Sequence, residues 1–127
     1  MILVDTNIII DYLKGNESIL SDLIEEDNLA ICGIILAELL HGIQSEKDRG
    51  LVDDAINDFE WIPIHDTIWY PFGSNLNLLR KNGLTIPFQD VLLATLCIEK
   101  DLQIATKDKH FKDIASILTN LNLHNSL

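Results

Sequence analysis

The chain has 127 residues, which is enough for one domain that buries its own core. Hydrophobic residues make up 47% of it, which argues against intrinsic disorder, and no apolar run reaches the roughly 20 residues that a membrane-spanning helix needs. The formal net charge of −11 argues against a general nucleic-acid binder, because such proteins are usually basic, and it suits a protein that binds cations or a basic partner.

The first residues and the cysteines bear on the cellular compartment. MILVDTN has no basic region before its apolar part and reaches an acid at Asp5, which is unlike a secretory signal peptide. We therefore expect a cytoplasmic protein. Cys32 and Cys97 stand among apolar neighbours without a Cys or His at zinc-binding spacing, so we expect two buried, reduced thiols.

In the first half of the chain, apolar runs alternate with stretches of helical period. Residues 1–5 (MILVD) precede a turn-like DTN and predict a buried strand, and residues 7–15 predict a helix that Gly15 ends. Residues 17–27 carry apolar side chains at helical spacing, and residues 29–34 (LAICGI) predict a second buried strand. Two further predicted helices span 35–43 and 46–59.

The second half continues the alternation. WIPIH, residues 61–65, predicts a third strand, and Phe72 to Lys81 predicts a helix that begins near Pro71 and is capped by Asn82-Gly83. Pro87 opens a helix over residues 88–100, since Pro is favoured at a helix start. LQIAT, residues 102–106, predicts a fourth strand, and the tail from residue 116 to 127 adds a fifth.

This alternation predicts a single α/β domain over residues 1–127. Its sheet is expected to have four to five mostly parallel strands with helices on both faces. In such sheets, sites form in the crevice outside the carboxyl ends of the strands. Asp5 closes the first predicted strand and Asp108 follows the fourth, so both belong to that edge.

Two more acids, Glu38 and Asp90, interrupt apolar helix faces, where an acid is almost never buried without a partner. Each acid also has an ordinary structural explanation. Asp5 would cap the following helix, Asp90 would favour a helix dipole, Glu38 would point outward, and Asp108 would be a solvated turn residue. The four together favour a shared site.

Four converging carboxylates repel one another, by roughly 3 kcal/mol per pair at about 5 Å and an effective dielectric near 20. A hard divalent cation would offset this repulsion, and oxygen-only ligands suit Mg²⁺, with Mn²⁺ as a substitute. We see no His placed to indicate zinc. His41 stands three residues after Glu38 and either reaches the same crevice or lies on the helix surface.

The acids and their surroundings resemble the PIN-domain nucleases, and among them the VapC-type toxin ribonucleases. That family carries an acid in DTN or DTS after the first strand, a helix Glu, an Asp in I-P-x-x-D-x-L-x-A and a final Asp in T-x-D-x-x-F. The matching residues here are Asp5 in VDTNIIIDYL, Glu38 in LAELLHG, Asp90 in RKNGLTIPFQDVLLAT and Asp108 in ATKDKHF. Order, spacing and length agree over nearly the whole chain.

The resemblance implies a PIN-like three-layer sandwich and a Mg²⁺-dependent endoribonuclease toxin of a type II toxin–antitoxin system. The expected substrate is tRNA, rRNA or mRNA. It implies that the four acids are both the metal ligands and the catalytic residues, with Glu38 orienting or deprotonating the attacking water or holding a second metal. Thr6, Asn7 and Thr106 would fix the carboxylates by hydrogen bonds.

The resemblance also implies partners. Basic residues near the acids in sequence would contact RNA phosphates, although each also suits a solvated turn. These residues are Arg80, Lys81, Lys107 and Lys109, with Lys112 close by. A basic antitoxin would enter the acidic groove, and homodimers are common in the family, for which the helices containing IIIDYL and IEED offer an apolar face.

Other classes remain open. A phospho-receiver domain should show adjacent acids after the first strand, and here the residues before Asp5 are Leu3 and Val4. A phosphatase with an Asp nucleophile should show a second Asp at position 7, which is Asn7. A non-catalytic binding domain would need no acid at 38 or 90, and a non-toxin PIN nuclease of RNA processing would share the whole site.

Overall fold

The computed structural model describes residues 1–16, 18–25 and 28–124. Five strands lie within these ranges: β1 Ile2–Val4, β2 Leu29–Ile31, β3 Glu60–Trp61, β4 Gln103–Ala105 and β5 Asn122–Leu123. The helices are α1 Thr6–Leu13, α2 Leu20–Ile24, α3 Gly33–His41, α4 Glu46–Ile56, α5 Trp69–Lys81, α6 Phe88–Lys100 and α7 His110–Ile117. A 3₁₀ turn, Asp66–Ile68, precedes α5.

The strands form one parallel sheet in the order β3-β2-β1-β4-β5. From β1 the chain moves to β2 and β3 on one side, then crosses back to β4 and β5 on the other. Right-handed crossovers therefore place α1 to α4 on one face and α5 to α7 on the opposite face. Contacts agree, since α1 packs on α2, α3 and α4, while α6 packs on α5 and α7. The predicted fold class is confirmed.

The strand order reverses between β1 and β4, and this switch point is where a parallel sheet opens a crevice at its carboxyl edge. Leu3 in β1 pairs with Ala30 in β2 and Ile104 in β4, so the centre of the sheet is apolar and buried. Cys32 and Cys97 are buried free thiols, as predicted. Across the described ranges, no helix is long and apolar enough to cross a membrane.

All five strands are shorter than the sequence indicated, and the second and third show the physical reasons. The second ends at Ile31, because Cys32 already precedes α3 and Gly33 is the first helical residue. The third covers only Glu60–Trp61 at the edge of the sheet. The Ile62 N–H still donates to the Ile31 carbonyl at 2.8 Å, but Pro63 lacks the N–H group that a longer strand would use.

The helix α7 was not predicted, and it occupies the segment between the fourth strand and the tail. Phe111, Ile114 and Leu118 are buried. Their spacing of three and four residues is helical and is the pattern from which α7 could have been predicted. The predicted fifth strand exists but is limited to Asn122–Leu123, since residues 116 and 117 still belong to α7.

The helices suggested as a dimer face are only partly available for one. Ile8 and Ile9 in α1 are buried in the core of this chain, so they cannot contact a second copy. Tyr12 and Ile24 are exposed on the same face of the sheet, whereas Glu26 and Asp27 lie outside the described residues. Homodimer formation stays a prediction.

Phe111 anchors α7 to the sheet, and its side chain is completely buried. We expect Phe111→Ala to lower the free energy of unfolding by about 3–5 kcal/mol, because it removes a large apolar side chain and leaves a cavity. Urea denaturation measures this loss. The exposed aromatic Tyr70 is the matched control, and Tyr70→Ala should change stability by less than about 0.5 kcal/mol. Equal effects of the two substitutions would contradict the packing of α7.

Candidate active site

Asp5 stands between β1 and α1 at the switch point and is buried. Its backbone N–H donates to the Ala105 carbonyl at 2.9 Å, which joins the ends of β1 and β4. One carboxylate oxygen accepts the Thr6 backbone N–H at 2.7 Å, which caps α1, and the other accepts the Thr106 hydroxyl at 2.6 Å. Asp5 is therefore both a helix cap and a fixed acid at the sheet edge.

Asn7 and Thr106 link the segments that follow β1 and β4. The Thr106 hydroxyl, which donates to Asp5, accepts the Asp108 backbone N–H at 3.0 Å and the Asn7 amide at 3.3 Å. The side-chain oxygen of Asn7, Oδ1, accepts the Lys107 backbone N–H at 3.1 Å. The supporting roles predicted for both residues stay a prediction. Thr6 contributes its backbone N–H, while its buried hydroxyl has no hydrogen-bond partner within the described chain.

Asp90 lies in the first turn of α6, which begins just after Pro87. A negative charge is favoured there by the helix dipole, so the structural explanation for Asp90 also holds. Its carboxylate nevertheless faces the sheet edge, because one oxygen lies 2.9 Å from His110 Nδ1. The same His110 nitrogen lies 3.2 Å from an Asp108 carboxylate oxygen.

His110 is the site residue that the sequence analysis missed. Ligand atoms of Asp90, Asp108 and His110 all lie within 4.8 Å of one another, so this trio could hold a metal ion. The backbone N–H of His110 donates to the Asp108 carboxylate at 2.9 Å at the first residue of α7, and the ring contacts Asp90 through Nδ1. Because α7 was not recognised, nothing in the sequence pattern placed this His beside the acids.

The pKa values report how strongly the acids interact. Burial raises the pKa of Asp5, against the lowering effect of its hydrogen bonds from Thr106 and Thr6, and the charges of Asp90 and Asp108 raise it further. Burial also raises the pKa of Asp90, against the hydrogen bond from His110, and the Asp108 charge adds to it. The hydrogen bond to Asp90 raises the pKa of His110, which favours its charged form.

Glu38 projects from α3 and is exposed. Partial burial raises its pKa, as do the charges of Asp5 and Asp90, so Glu38 lies within electrostatic range of the other acids. The structure thus brings all four acids to one edge, with Asp5, Asp90 and Asp108 linked by short contacts and Glu38 farther out. His41 is exposed at the last residue of α3.

The four basic residues predicted to contact RNA are exposed. Lys107 pairs with Asp11 of α1, which ties the β4–α7 connection to the helix after β1. Lys109 directly precedes α7, and Arg80 and Lys81 occupy the last turn of α5, where cations suit the helix dipole. Arg80 also lines an open apolar cleft with Phe88, next to the first turn of α6. Lys107, Arg80 and Lys81 therefore each have a structural explanation that does not involve RNA.

Fold and site together define an α/β domain with acids gathered at the switch point of a parallel sheet. The family model described as "PIN domain" matches residues 2–117, so the chain belongs to the PIN domain family. The family resemblance of the four acidic motifs is confirmed. Membership also argues against the phospho-receiver and phosphatase alternatives.

Curated relatives and solved structures agree. The chain is 33% identical over 112 residues to ribonuclease VapC1 of Methanocaldococcus jannaschii, covering 87% of this chain and 79% of that protein. It is 26% identical to ribonuclease VapC2 of Rickettsia felis, covering 91% and 93%. A crystal structure of VapBC2 from Rickettsia felis, bound to a DNA fragment from their promoter, superimposes with a TM-score of 0.84 and 27% identity over 98% of each chain.

The raised pKa of Asp5 predicts how stability depends on pH. Unfolded Asp5 loses its proton near pH 4, whereas the folded state keeps it to higher pH, so ionisation lowers the free energy of unfolding as pH rises through the raised pKa. Asp5→Asn removes this loss. In EDTA, we expect the stability of the variant relative to wild type to increase from pH 4 to pH 7, measured by urea denaturation at each pH.

Asp53→Asn is the control for this experiment, because Asp53 is exposed on α4. Its stability should differ from that of wild type by less than about 0.5 kcal/mol. A difference between Asp5→Asn and wild type that stays constant from pH 4 to pH 7 would mean that burial and neighbouring charge do not disfavour the Asp5 carboxylate.

Proposed function

We propose that this protein is a metal-dependent endoribonuclease, the VapC-type toxin of a type II toxin–antitoxin pair. The observation that carries the proposal is the cluster of Asp90, Asp108 and His110, whose ligand atoms lie within 4.8 Å of one another beside the buried Asp5. Family membership and the names of the two relatives, both ribonucleases, support it.

The donor set fits a divalent cation. Asp90 and Asp108 offer oxygen ligands, and Asp5 adds a third carboxylate whose pKa is raised by their charges. Such oxygen ligands suit Mg²⁺ or Mn²⁺. When bound, the cation would offset the repulsion of the acids and the negative charge that develops on the phosphate during cleavage.

The chain's own residues would do the remaining work. Glu38 is exposed at the rim and its pKa is raised, which suits a group that accepts a proton from attacking water. Thr106 and Asn7 hold Asp5 in one orientation, so that carboxylate need not reorganise during the reaction. Attack by water would leave a 5′ phosphate on the product.

Substrate contacts would come from the exposed bases. Lys109 directly follows Asp108, and Arg80 and Lys81 project from the end of α5. Each would meet a phosphate of a single-stranded RNA segment next to the acids. The RNA class, whether tRNA, rRNA or mRNA, and the cytoplasmic location stay predictions.

A basic antitoxin is the expected protein partner. One relative of known structure is VapBC2 from Rickettsia felis. The present chain carries 20 acidic against 9 basic residues. An Arg side chain from the partner would form a fork-shaped pair with the site carboxylates and occupy the place of a cation. Inhibition would then follow from competition for the same acids.

The nuclease proposal predicts cleavage that requires both a cation and the acids. Purified protein should cut a single-stranded RNA in Mg²⁺ or Mn²⁺, and EDTA should abolish the reaction. Asp90→Asn and Asp108→Asn should each reduce the rate on the order of 10²-fold or more, which is the scale of losing one group that stabilises the transition state. Gel analysis of 5′-labelled RNA measures both effects.

Asp53→Asn, on the distant surface of α4, should leave the rate unchanged. Full activity in EDTA would contradict the metal requirement. Normal activity of both site variants would move the reaction to another part of the surface.

The partner proposal predicts a charge-dependent complex. A peptide with the basic tail of the antitoxin encoded beside this protein should bind more weakly as salt increases, because the charges are complementary. Asp90→Asn combined with Asp108→Asn should weaken binding, whereas Asp53→Asn should not. Isothermal titration calorimetry measures the affinities, and an unchanged affinity of the double variant would exclude insertion of the tail into the acidic site.

A further inference from the structure

His110 lies where a metal ligand would have to lie. Its Nδ1 is 2.9 Å from an Asp90 oxygen and 3.2 Å from an Asp108 oxygen. Ligands in neighbouring positions of an octahedron, each about 2.1 Å from the metal, are about 3 Å apart. The His110 nitrogen is thus spaced from each carboxylate oxygen as a neighbouring ligand around one ion would be, and all three ligand atoms lie within 4.8 Å of one another.

Contacts of the neighbouring residues fix the backbone on both sides of His110. The His110 backbone N–H donates to the Asp108 carboxylate, and the next residue, Phe111, is completely buried. Asp108 is itself positioned by the Thr106 hydroxyl. The ring is 44% exposed, so an ion has access to it from solvent. An ion bound among the three groups would replace the proton that now bridges Nδ1 and the Asp90 carboxylate.

We propose that His110 is itself a metal ligand with Asp90 and Asp108, and that its nitrogen makes this site prefer Mn²⁺ to Mg²⁺. This inference rests on the metal site of the proposed function. Carboxylate oxygens serve both ions, but imidazole nitrogen suits transition metals and adds little for Mg²⁺. An oxygen-only site of the same acids would lack this source of preference.

A second role for His110 is to orient Asp90 through their hydrogen bond, as a positioning residue. The two roles differ in their effect on metal choice. Loss of an orienting group weakens all cations alike, whereas loss of a nitrogen ligand weakens Mn²⁺ far more than Mg²⁺. The comparison of two ions therefore separates the roles without any measurement of RNA cleavage.

The test is Mn²⁺ binding to the full chain, followed by the electron paramagnetic resonance signal of free Mn²⁺, with Mg²⁺ as competitor. Wild type should bind Mn²⁺ on the order of tenfold more tightly than Mg²⁺. His110→Gln should lose on the order of tenfold in Mn²⁺ affinity with a much smaller change for Mg²⁺. His41→Gln, which alters an exposed His at the end of α3, is the matched control and should behave as wild type.

Pulsed measurements on the bound Mn²⁺ give a direct second result. A ¹⁴N coupling from coordinated imidazole should appear in wild type and in His41→Gln and vanish in His110→Gln. Absence of this coupling in wild type, or an equal loss of both ions in His110→Gln, would overturn the inference and leave His110 as an orienting group.

The outcomes also separate this inference from the nuclease proposal. Nitrogen coupling in a protein that cleaves no RNA would sustain the ligand and overturn the nuclease. Metal-dependent cleavage without nitrogen coupling would do the reverse.

Discussion

The hydrogen bond from the Thr106 hydroxyl to the Asp5 carboxylate joins the ends of the two central strands, and the site is arranged around it. The same hydroxyl accepts the Asp108 backbone N–H, so one oxygen positions acids that are 103 residues apart in the chain. Asp108 in turn accepts the backbone N–H of His110, and the His110 ring contacts Asp90. Strand order makes this chain of contacts possible, because β1 and β4 are neighbours at the point where the order reverses.

This arrangement disfavours the charged form of its own acids. Burial and neighbouring charge raise the pKa values of Asp5, Glu38 and Asp90, so each is less stable as a carboxylate in the fold than in water. Backbone and hydroxyl donors reduce this penalty at Asp5, and His110 reduces it at Asp90. Sites that trade stability for activity are expected to show such strain, which a bound cation or a partner's basic side chain would relieve.

The proposed activity would bring an acidic protein into contact with RNA. The net charge of −11 repels a polyanion at long range, so binding of RNA would depend on the placement of a few bases and on a cation at the acids. Lys107 forms an ion pair with Asp11, and this pair links the loop that carries Asp108 to α1. The same overall charge would attract the basic partner proposed above, because the two charges are complementary.

Alternation of apolar runs correctly predicted the parallel α/β class, and acids in apolar surroundings predicted the candidate site, because both signals are local in the chain. The Asp90–His110 contact, the placement of Asp108 by Thr106 and the Lys107–Asp11 pair came only from the tertiary structure. The residues in these three contacts are 20, 2 and 96 positions apart in the chain, respectively. Even the contact between Thr106 and Asp108 depends on a loop whose shape the neighbouring strand sets. Phe111, Ile114 and Leu118 have helical spacing in the sequence, but only the structure shows that all three are buried. Spacing along a chain predicts which face of an element is apolar, whereas the direction of a side chain at a strand end is decided by the groups that cross from another strand.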